Sequence, residues 1–261
     1  MDSPLSYVKT METRHCLWQP SPAKLTLADD EVHTWRATLD LPLSLVEQLG
    51  GLLTADESDR AERFHFEKDR QHFIVGRGLL RIILGRYLRI APKRLRFCYN
   101  RYGKPFLLAP EYGLHKLCFN MSHSGGLALF AITRNRDIGV DLERIRANLE
   151  YEEIAERFFS PEEVMGLHTI PTRMKVEVFF NCWTRKEAYI KAQGQGLSLP
   201  LDSFDVSFAP GEPATLLATR DDPGEASRWT LQELAPGQGY VGALAVRGCN
   251  CRYKYWQQDD S

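Results

Sequence analysis

Apolar residues recur at helical spacing between residues 175 and 200, which predicts a long helix that ends near Gly194. Glu187 interrupts the apolar stripe of this helix, and Lys191 follows one turn later. A carboxylate on the buried side of a helix is costly unless a cation or hydrogen-bond donors meet it. Glu187 and Lys191 could instead form an ordinary i,i+4 ion pair worth about 0.2–0.5 kcal/mol, and the helix alone does not decide between the two interpretations. The stripe consists of Val176, Phe179, Phe180, Trp183 and Ile190.

Helix signals also mark the first half of the chain. Thr54 and Glu57 have the spacing of a capping box, so we expect a helix to begin there. A second long helix is predicted over residues 69–89, and Arg77 lies on its apolar side. Arg77 is expected to be paired or close to an anion, with a surface arginine as the alternative. The core positions of this helix are Phe73, Leu80, Leu84 and Tyr87.

Extended segments are indicated by alternation and by short apolar runs. Residues 127–132 are apolar throughout, as expected for a strand that is buried on both faces. Before them, residues 122–126 (Ser-His-Ser-Gly-Gly) predict a polar hairpin suited to a phosphate, with a plain turn as the alternative. Residues 254–261 are polar and are expected to be frayed. Further extended segments are predicted at 32–38, 94–99, 117–120, 201–208, 215–219, 229–234 and 239–246.

The clearest strand pattern lies at residues 138–143. Its apolar residues point one way, whereas Gly139, Asp141 and Glu143 point the other. Two carboxylates on one face repel each other unless a positive group lies between them, although an exposed sheet face would also tolerate them. The glycine on the same face would leave room for a ligand to approach the backbone.

The composition narrows the class of protein. With 43% hydrophobic and 26% charged residues, the 261-residue chain is expected to be globular. A net charge of −1 gives no overall field that would attract nucleic acid or an anionic membrane. We find no signal-peptide core or membrane span, and the six cysteines lack the spacing of a zinc or C-x-x-C redox site. We therefore expect a reduced, cytoplasmic protein.

Asp141, Glu143 and Glu187 together could form an all-oxygen site for a hard divalent cation. Mg²⁺ usually takes a few carboxylates together with substrate phosphate oxygens and water. Basic side chains elsewhere would complete a phosphate clamp, which indicates phosphoryl-type transfer. One of them, in a tight Gly-Lys-Pro loop, could equally be a solvated loop lysine. These additional candidates are Lys191, Lys104, His123 and Arg63.

Six short blocks follow one another along the chain: RFHF at 63–66, YGKP at 102–105, NMSHS at 120–124, GVDLE at 139–143, WTRKEAYIK at 183–191 and GQGLSLPLDSF at 194–204. In order and spacing, they resemble the signatures of 4′-phosphopantetheinyl transferases of the Sfp type. The resemblance implies an α+β fold of two pseudo-symmetric halves, each an antiparallel sheet packed with helices, with the active site at their interface. The expected units are a loose leader at 1–16, halves at 17–135 and 136–255, and a tail at 256–261.

The resemblance also implies a reaction, in which the phosphopantetheinyl arm moves from coenzyme A to a serine of a carrier protein and adenosine 3′,5′-bisphosphate is released. Glu187, directly or through a water, would take the proton from the serine. Lys191 would neutralise the leaving phosphate and could also protonate it. Mg²⁺, or Mn²⁺ in its place, would be held by Asp141, Glu143 and Glu187. Coenzyme A would be bound by Arg63, Tyr102, Gly103, Lys104, Pro105, Ser122, His123, Asp141 and Lys191.

The chain departs from the family pattern in one place. Family members often carry a lysine near the start of the helix before Arg63, where it would meet the 3′-phosphate. Here the candidate positions hold Glu57 and Arg60, so Arg60 would have to substitute.

Two other functions were weighed against the transferase. One is a Mg²⁺-dependent phosphodiesterase or pyrophosphatase that cleaves the same diphosphate with water, but no residue stands out as a water-activating base. The other is a non-catalytic module that binds carrier proteins, which the presence of Asp141, Glu187 and Lys191 disfavours. The expected partners of a transferase are acyl, peptidyl or polyketide carrier proteins and coenzyme A, with no nucleic acid and no membrane, and we expect a monomer.

Overall fold

A computed structural model describes residues 17–108 and 116–258 of the chain. The predicted leader at 1–16 lies outside the described residues, as do the last three positions of the predicted tail. The helices are α1 (Leu43–Gly50), α2 (Ala55–Glu62), α3 (Glu67–Leu88), α4 (Tyr151–Phe158), α5 (Pro161–Thr169) and α6 (Thr172–Gln193).

Strands and helices follow one another in separate runs, an α+β arrangement that confirms the expected fold class. The strands are β1 (Gln19–Pro20), β2 (Glu31–Thr38), β3 (Phe97–Tyr99), β4 (Pro105–Leu107), β5 (Leu117–Ser124), β6 (Leu127–Arg134), β7 (Ile138–Arg144), β8 (Phe204–Val206), β9 (Leu216–Thr219), β10 (Trp229–Leu234), β11 (Tyr240–Arg247) and β12 (Arg252–Gln257).

Two sheets hold the larger strands. One has five strands in the order β1-β12-β2-β6-β5, and the other has three in the order β10-β11-β7. Strands β3 and β4 form a separate antiparallel ribbon, as do β8 and β9. The edge strand β5 of the larger sheet lies beside the edge strand β7 of the smaller one. This neighbourhood of two sheet edges is where the acidic residues of β7 lie.

The two sheets share an apolar core. Leu129 and Ala131 of β6 belong to the same buried cluster as Val140 and Leu142 of β7. The intervening positions of β6, such as Phe130, pack instead in the cluster that contains the long helix α3. Strand β6 is therefore buried on both faces, as its continuous apolar run predicts. Helix α6 covers the other face of the smaller sheet.

The described part of the expected tail, residues 254–258, is not frayed, contrary to the expectation for residues 254–261. Residues up to Gln257 form β12, which pairs in parallel with β2 from Arg252 opposite Glu31 to Gln257 opposite Arg36. The larger sheet is therefore mixed rather than wholly antiparallel. Because β12 follows β11 in the chain but joins the larger sheet, it ties the two sheets together covalently. The division into halves at residues 135 and 136 stays a prediction.

Arg77 is buried and paired, which confirms the first expectation for it and excludes a surface arginine. Its Nε donates to Glu57 Oε1, and its other arm donates to the Tyr99 hydroxyl at 2.7 Å. Arg81 Nε donates to the second oxygen of Glu57 at 2.7 Å. Glu57 also accepts from the Thr54 backbone N–H at 3.0 Å, so the predicted capping box is confirmed. Because Glu57 of α2 binds two buried arginines of α3, it holds the two helices together.

None of the helices in the described part of the chain is both long and apolar enough to cross a membrane.

A buried histidine makes stability depend on pH. His33 of β2 is 1% exposed, its Nδ1 lies 2.6 Å from the Tyr87 hydroxyl, and burial lowers its pKa to about 4. His33 therefore binds a proton near pH 6.5 in the unfolded chain, but only at about pH 4 in the folded chain. We expect the free energy of unfolding to decrease as the pH is lowered from 6.5 to about 4. His33 contributes at most about 1.4 kcal/mol per pH unit to this decrease.

Urea unfolding across this pH range checks the expectation in His33→Gln. The variant should lose part of the slope, whereas His168→Gln, which changes an exposed histidine of α5, should keep it. An unchanged slope in His33→Gln would contradict the assignment.

Candidate active site

Strand β7 and helix α6 approach each other at backbone distance. A Cβ added to Gly139 would collide with the carbonyl oxygen of Ala188 and the amide nitrogen of Ala192. The room beside Gly139 is therefore filled by α6, and the prediction that a ligand would approach the backbone there is wrong. The absent side chain has another consequence: it lets the polar face of β7 lie directly against the helix that carries Glu187 and Lys191.

Asp141 is the centre of the contacts between the two elements. It is 4% exposed, and its Oδ1 accepts from Lys191 Nζ at 2.6 Å and from Ser122 Oγ at 3.0 Å. Its second oxygen, Oδ2, is buried and has no hydrogen-bond partner within the described part of the chain. A buried carboxylate oxygen without a partner is costly, so it indicates a position where a cation or donor would be stabilised.

Lys191 pairs with this aspartate rather than with its helical neighbour. Within residues 17–108 and 116–258, no ion pair joins Lys191 to Glu187, so the i,i+4 interpretation does not hold. Lys191 Nζ also donates to Ser122 Oγ at 3.0 Å. The ammonium therefore lies between strand and helix, at the point where the sequence requires a positive charge.

Two further carboxylates lie in the same region. Burial raises the pKa of Glu143, and the neighbouring charge of Asp141 raises it further. Burial likewise raises the pKa of Glu187, again with Asp141 as the next contributor and Glu143 as a smaller one. Both shifts report that three acidic groups face one another in a partly dehydrated space. The alternative of an exposed sheet face is excluded because Asp141 is buried and Glu143 is half-buried.

These carboxylates suit a hard cation, although they do not complete its coordination shell. In the described ranges, no three His, Cys, Asp or Glu side chains converge closely enough to hold an ion by themselves. Mg²⁺ needs only one or two carboxylates when substrate phosphates and water complete its octahedron. Asp141 Oδ2, with no partner, fits such a ligand. The assignment of Asp141, Glu143 and Glu187 as metal ligands stays a prediction.

Alternate side chains of β5 join it to β7. Asn120 Oδ1 accepts from the Val140 N–H at 2.9 Å, and Ser122 donates to Asp141. Ser124 Oγ donates to Glu143 Oε2 at 2.9 Å and accepts from the Arg144 N–H at 3.1 Å. The side chains of Asn120, Ser122 and Ser124 thus join the two sheet edges, where paired strands of one sheet would use backbone hydrogen bonds. The roles of Asn120 and Ser124 are not among the predictions from the sequence, although their alternation with Ser122 is a visible signal.

The predicted polar hairpin is smaller than expected. Ser122, His123 and Ser124 lie within β5, and only Gly125 and Gly126 form the turn to β6. Both glycines have positive φ, at 55° and 91°. His123 is exposed and, by alternation along the strand, lies on the opposite face of β5 from Ser122. Ser122 and His123 therefore face different sides of the strand, and their expected contacts with coenzyme A stay a prediction.

Comparison with known proteins matches both parts of the chain to one family. The family model described as the 4′-phosphopantetheinyl transferase superfamily matches residues 137–245, and that of the 4′-phosphopantetheinyl transferase N-terminal region matches residues 33–135. The 4′-phosphopantetheinyl transferase HetI of Nostoc sp. is 43% identical over 239 residues, which cover 92% of this chain and 97% of that protein. The chain belongs to the 4′-phosphopantetheinyl transferase superfamily.

A second relative supports the same conclusion. The 4′-phosphopantetheinyl transferase Sfp of Bacillus subtilis is 34% identical over 171 residues, or 64% of this chain and 73% of that protein. The predicted Sfp-type family and transferase activity are thus confirmed. A solved holo-[acyl-carrier-protein] synthase of Thermotoga maritima matches 43% of this chain and 62% of its own, at 21% identity and a TM-score of 0.35, a likeness that supports no conclusion.

The residues expected to bind coenzyme A in the transferase lie in different settings. Arg63 is exposed at the C-terminal end of α2, and Tyr102 is exposed in the loop between β3 and β4. Gly103 in this loop has a φ of 86°, which favours glycine, and Pro105 begins β4. Lys104 instead turns inward, and its ammonium donates to two backbone carbonyls. Of the predicted set, the structure brings only Ser122, Asp141 and Lys191 into direct contact with one another.

We expect Gly139→Ala to damage both stability and activity of the transferase. The new methyl group must push β7 away from α6, because it would meet backbone atoms that cannot rotate aside. Overpacking of this kind costs about 1–3 kcal/mol, which urea unfolding would measure. Gly211→Ala is the control for a Gly→Ala change without close packing, because a Cβ there meets nothing within 4 Å. Its φ of 81° still adds some backbone strain. Full stability and full activity in Gly139→Ala would contradict the close packing.

Proposed function

We propose that this transferase moves the 4′-phosphopantetheine arm of coenzyme A to a serine hydroxyl of an apo acyl, peptidyl or polyketide carrier protein, with Mg²⁺, and releases adenosine 3′,5′-bisphosphate. The observation that carries the proposal is Asp141, which has one oxygen on Lys191 and Ser122 and the other buried without a partner in the described structure. Two more acidic side chains with raised pKa values flank it.

The bond changes follow from an in-line displacement at phosphorus. The carrier serine oxygen bonds to the phosphorus that bears the pantetheine arm, while the bond from that phosphorus to the bridging oxygen of the diphosphate breaks. The serine proton passes to a carboxylate, and the electron pair of the broken bond remains on the 5′-phosphate of the nucleotide product. A Mg²⁺ bound at Asp141 would neutralise the diphosphate charge and orient it for this displacement.

Glu187 is the base in this proposal. Burial and its acidic neighbours raise its pKa, which makes the ionised carboxylate a stronger proton acceptor than an exposed glutamate. Glu187 and Lys191 are one helical turn apart on α6, so the base and the cation reach the reacting phosphate from one rigid element.

Lys191 stabilises the leaving phosphate in this proposal. In the described structure its ammonium already neutralises Asp141 at 2.6 Å. When the diphosphate is bound, Lys191 would stabilise the charge that develops on the departing oxygen and could supply its proton. The same ammonium would thus pair with Asp141 before the diphosphate binds and with phosphate in the transition state.

The setting of the reaction is part of the proposal. Cys98, Cys118, Cys182, Cys249 and Cys251 are free thiols in the described part of the chain, as a reducing cytoplasm would keep them. We propose a monomer that meets its carrier proteins and coenzyme A there.

Glu187→Gln should abolish transfer and leave the fold intact. The amide keeps the shape of the side chain but cannot accept the serine proton, so the rate should fall by about 10²–10⁴-fold. The measurement is the mass of an apo-carrier after incubation with coenzyme A and Mg²⁺, repeated over a panel of acyl, peptidyl and polyketide carriers.

Glu177→Gln is the matched control, because it removes the same charge from an exposed position of the same helix. It should modify the carrier at the wild-type rate. Full modification by Glu187→Gln would refute the role of Glu187. Cleavage of coenzyme A without any mass gain on the carrier would favour a phosphodiesterase instead.

A further inference from the structure

The loop between β3 and β4 joins the two elements of the active site. Lys104 Nζ donates to the carbonyl oxygen of Ile138, at the start of β7, and to that of Ala192, in the last turn of α6, each at 2.9 Å. The Lys104 side chain is half-buried, and burial lowers its pKa to about 8. One side chain thus bonds to the backbones of both elements.

Asn100 makes a second bond to the same helix end. Its Nδ2 donates to the carbonyl oxygen of Gly194 at 2.7 Å, and its Oδ1 accepts from the backbone N–H groups of Tyr102 and Lys104, each at 2.9 Å. Asn100 therefore folds the loop that carries Lys104 and fixes that loop to α6. We call the pair of side chains, Asn100 and Lys104, the clamp.

The end of α6 is built to receive the clamp. The last carbonyl groups of a helix lack partners within the helix and carry partial negative charge, so a lysine and an amide donor suit them. Gly194 has a φ of 70°, and a Cβ there would lie 3.1 Å from Lys104 Cδ and 3.2 Å from Asn100 Nδ2. A glycine at this position therefore permits both the turn and the close approach of the clamp.

The clamped carbonyls are adjacent to reacting groups. Ala192 follows Lys191 directly, and Ile138 precedes Asp141 by three residues on the same strand. The pair Lys191 and Asp141 spans the same two elements at 2.6 Å. A change in the spacing of β7 and α6 at the clamp would therefore alter the spacing of this pair and of Glu187 from the β7 carboxylates.

We propose that Asn100 and Lys104 are positioning residues of the transferase, which set the distance between β7 and the last turn of α6 and so hold the acidic groups and Lys191 in register. The inference rests on the proposed function. It gives Lys104 a role other than the contact with coenzyme A that the sequence resemblance implies. Two of the three N–H donors of its ammonium are already committed to protein carbonyls.

Lys104→Met tests the inference, because methionine keeps the unbranched side chain as far as Cε and removes the donors. Lys116→Met is the matched control, since Lys116 lines the same cavity beside the helix end, is exposed and carries the same charge. The measurements are kcat, KM for coenzyme A, and the affinity of the free protein for Mn²⁺ by electron paramagnetic resonance. The last of these needs no turnover.

Removal of a group that orients metal ligands through another residue typically costs about 10–100-fold in metal affinity or activity. We expect Lys104→Met to lose kcat and Mn²⁺ affinity within that range, with KM for coenzyme A changed less than kcat, and Lys116→Met to match the wild type. A rise in KM alone, with kcat and Mn²⁺ affinity unchanged, would overturn the inference and make Lys104 a coenzyme contact. No change in any quantity would overturn it as well.

Asn100→Ser provides an independent test if Lys104→Met fails to give a native circular dichroism spectrum. Serine keeps a small polar side chain but cannot reach the Gly194 carbonyl, so kcat and Mn²⁺ affinity should fall together; wild-type values would overturn the inference. If the wild-type protein transfers no arm from coenzyme A, the proposed function fails, while the Mn²⁺ titration still decides whether the clamp positions the acidic groups.

Discussion

The site depends on the backbone contact of β7 with α6 at Gly139. That contact forces three carboxylates into one partly dehydrated region, where burial and mutual repulsion raise the pKa values of Glu143 and Glu187. The only charge compensation that the described residues supply at Asp141 is Lys191, and it meets one of the two carboxylate oxygens. A protein that stores repulsion of this kind would gain from a cation and an oriented diphosphate, which is what the proposed function supplies.

The rest of the fold holds these two elements in place. Polar side chains of β5 bind the outer edge of β7, and the clamp binds its beginning to the end of α6. On the far side of α6, Lys186 is fully buried and donates to Glu163 at 2.6 Å and to the carbonyl oxygens of Leu201 and Phe204. A buried pair of this type adds little net stability, since dehydration offsets most of its Coulomb energy, but loss of either partner would leave a buried charge uncompensated. The helix is therefore fixed on both sides of Glu187.

Local pattern predicted the elements and the acidic chemistry. Alternation at 138–143 predicted which residues of β7 face the core, and the charge of Glu187 and Lys191 within an apolar helix predicted a polar neighbour. What could not be predicted depends on partners distant in the chain. The aromatic residues of β12 are half-buried because β2, more than 200 positions earlier, lies beside them, and Gly139 is small because a helix, not a ligand, fills the space. Lys186 carries no local signal of burial, because its acceptors come from α5, from the loop before β8 and from the first residue of β8.

In the proposed function, the acidic face of β7 and the Glu187 side of α6 form one site for a cation and a diphosphate. Anomalous scattering from crystals grown with Mn²⁺ and coenzyme A would locate the cation directly. We expect one strong peak between Asp141 and Glu187, in contact with Asp141 Oδ2 and with oxygens of the coenzyme diphosphate. A peak elsewhere, or a diphosphate bound without any peak near Asp141, would contradict it.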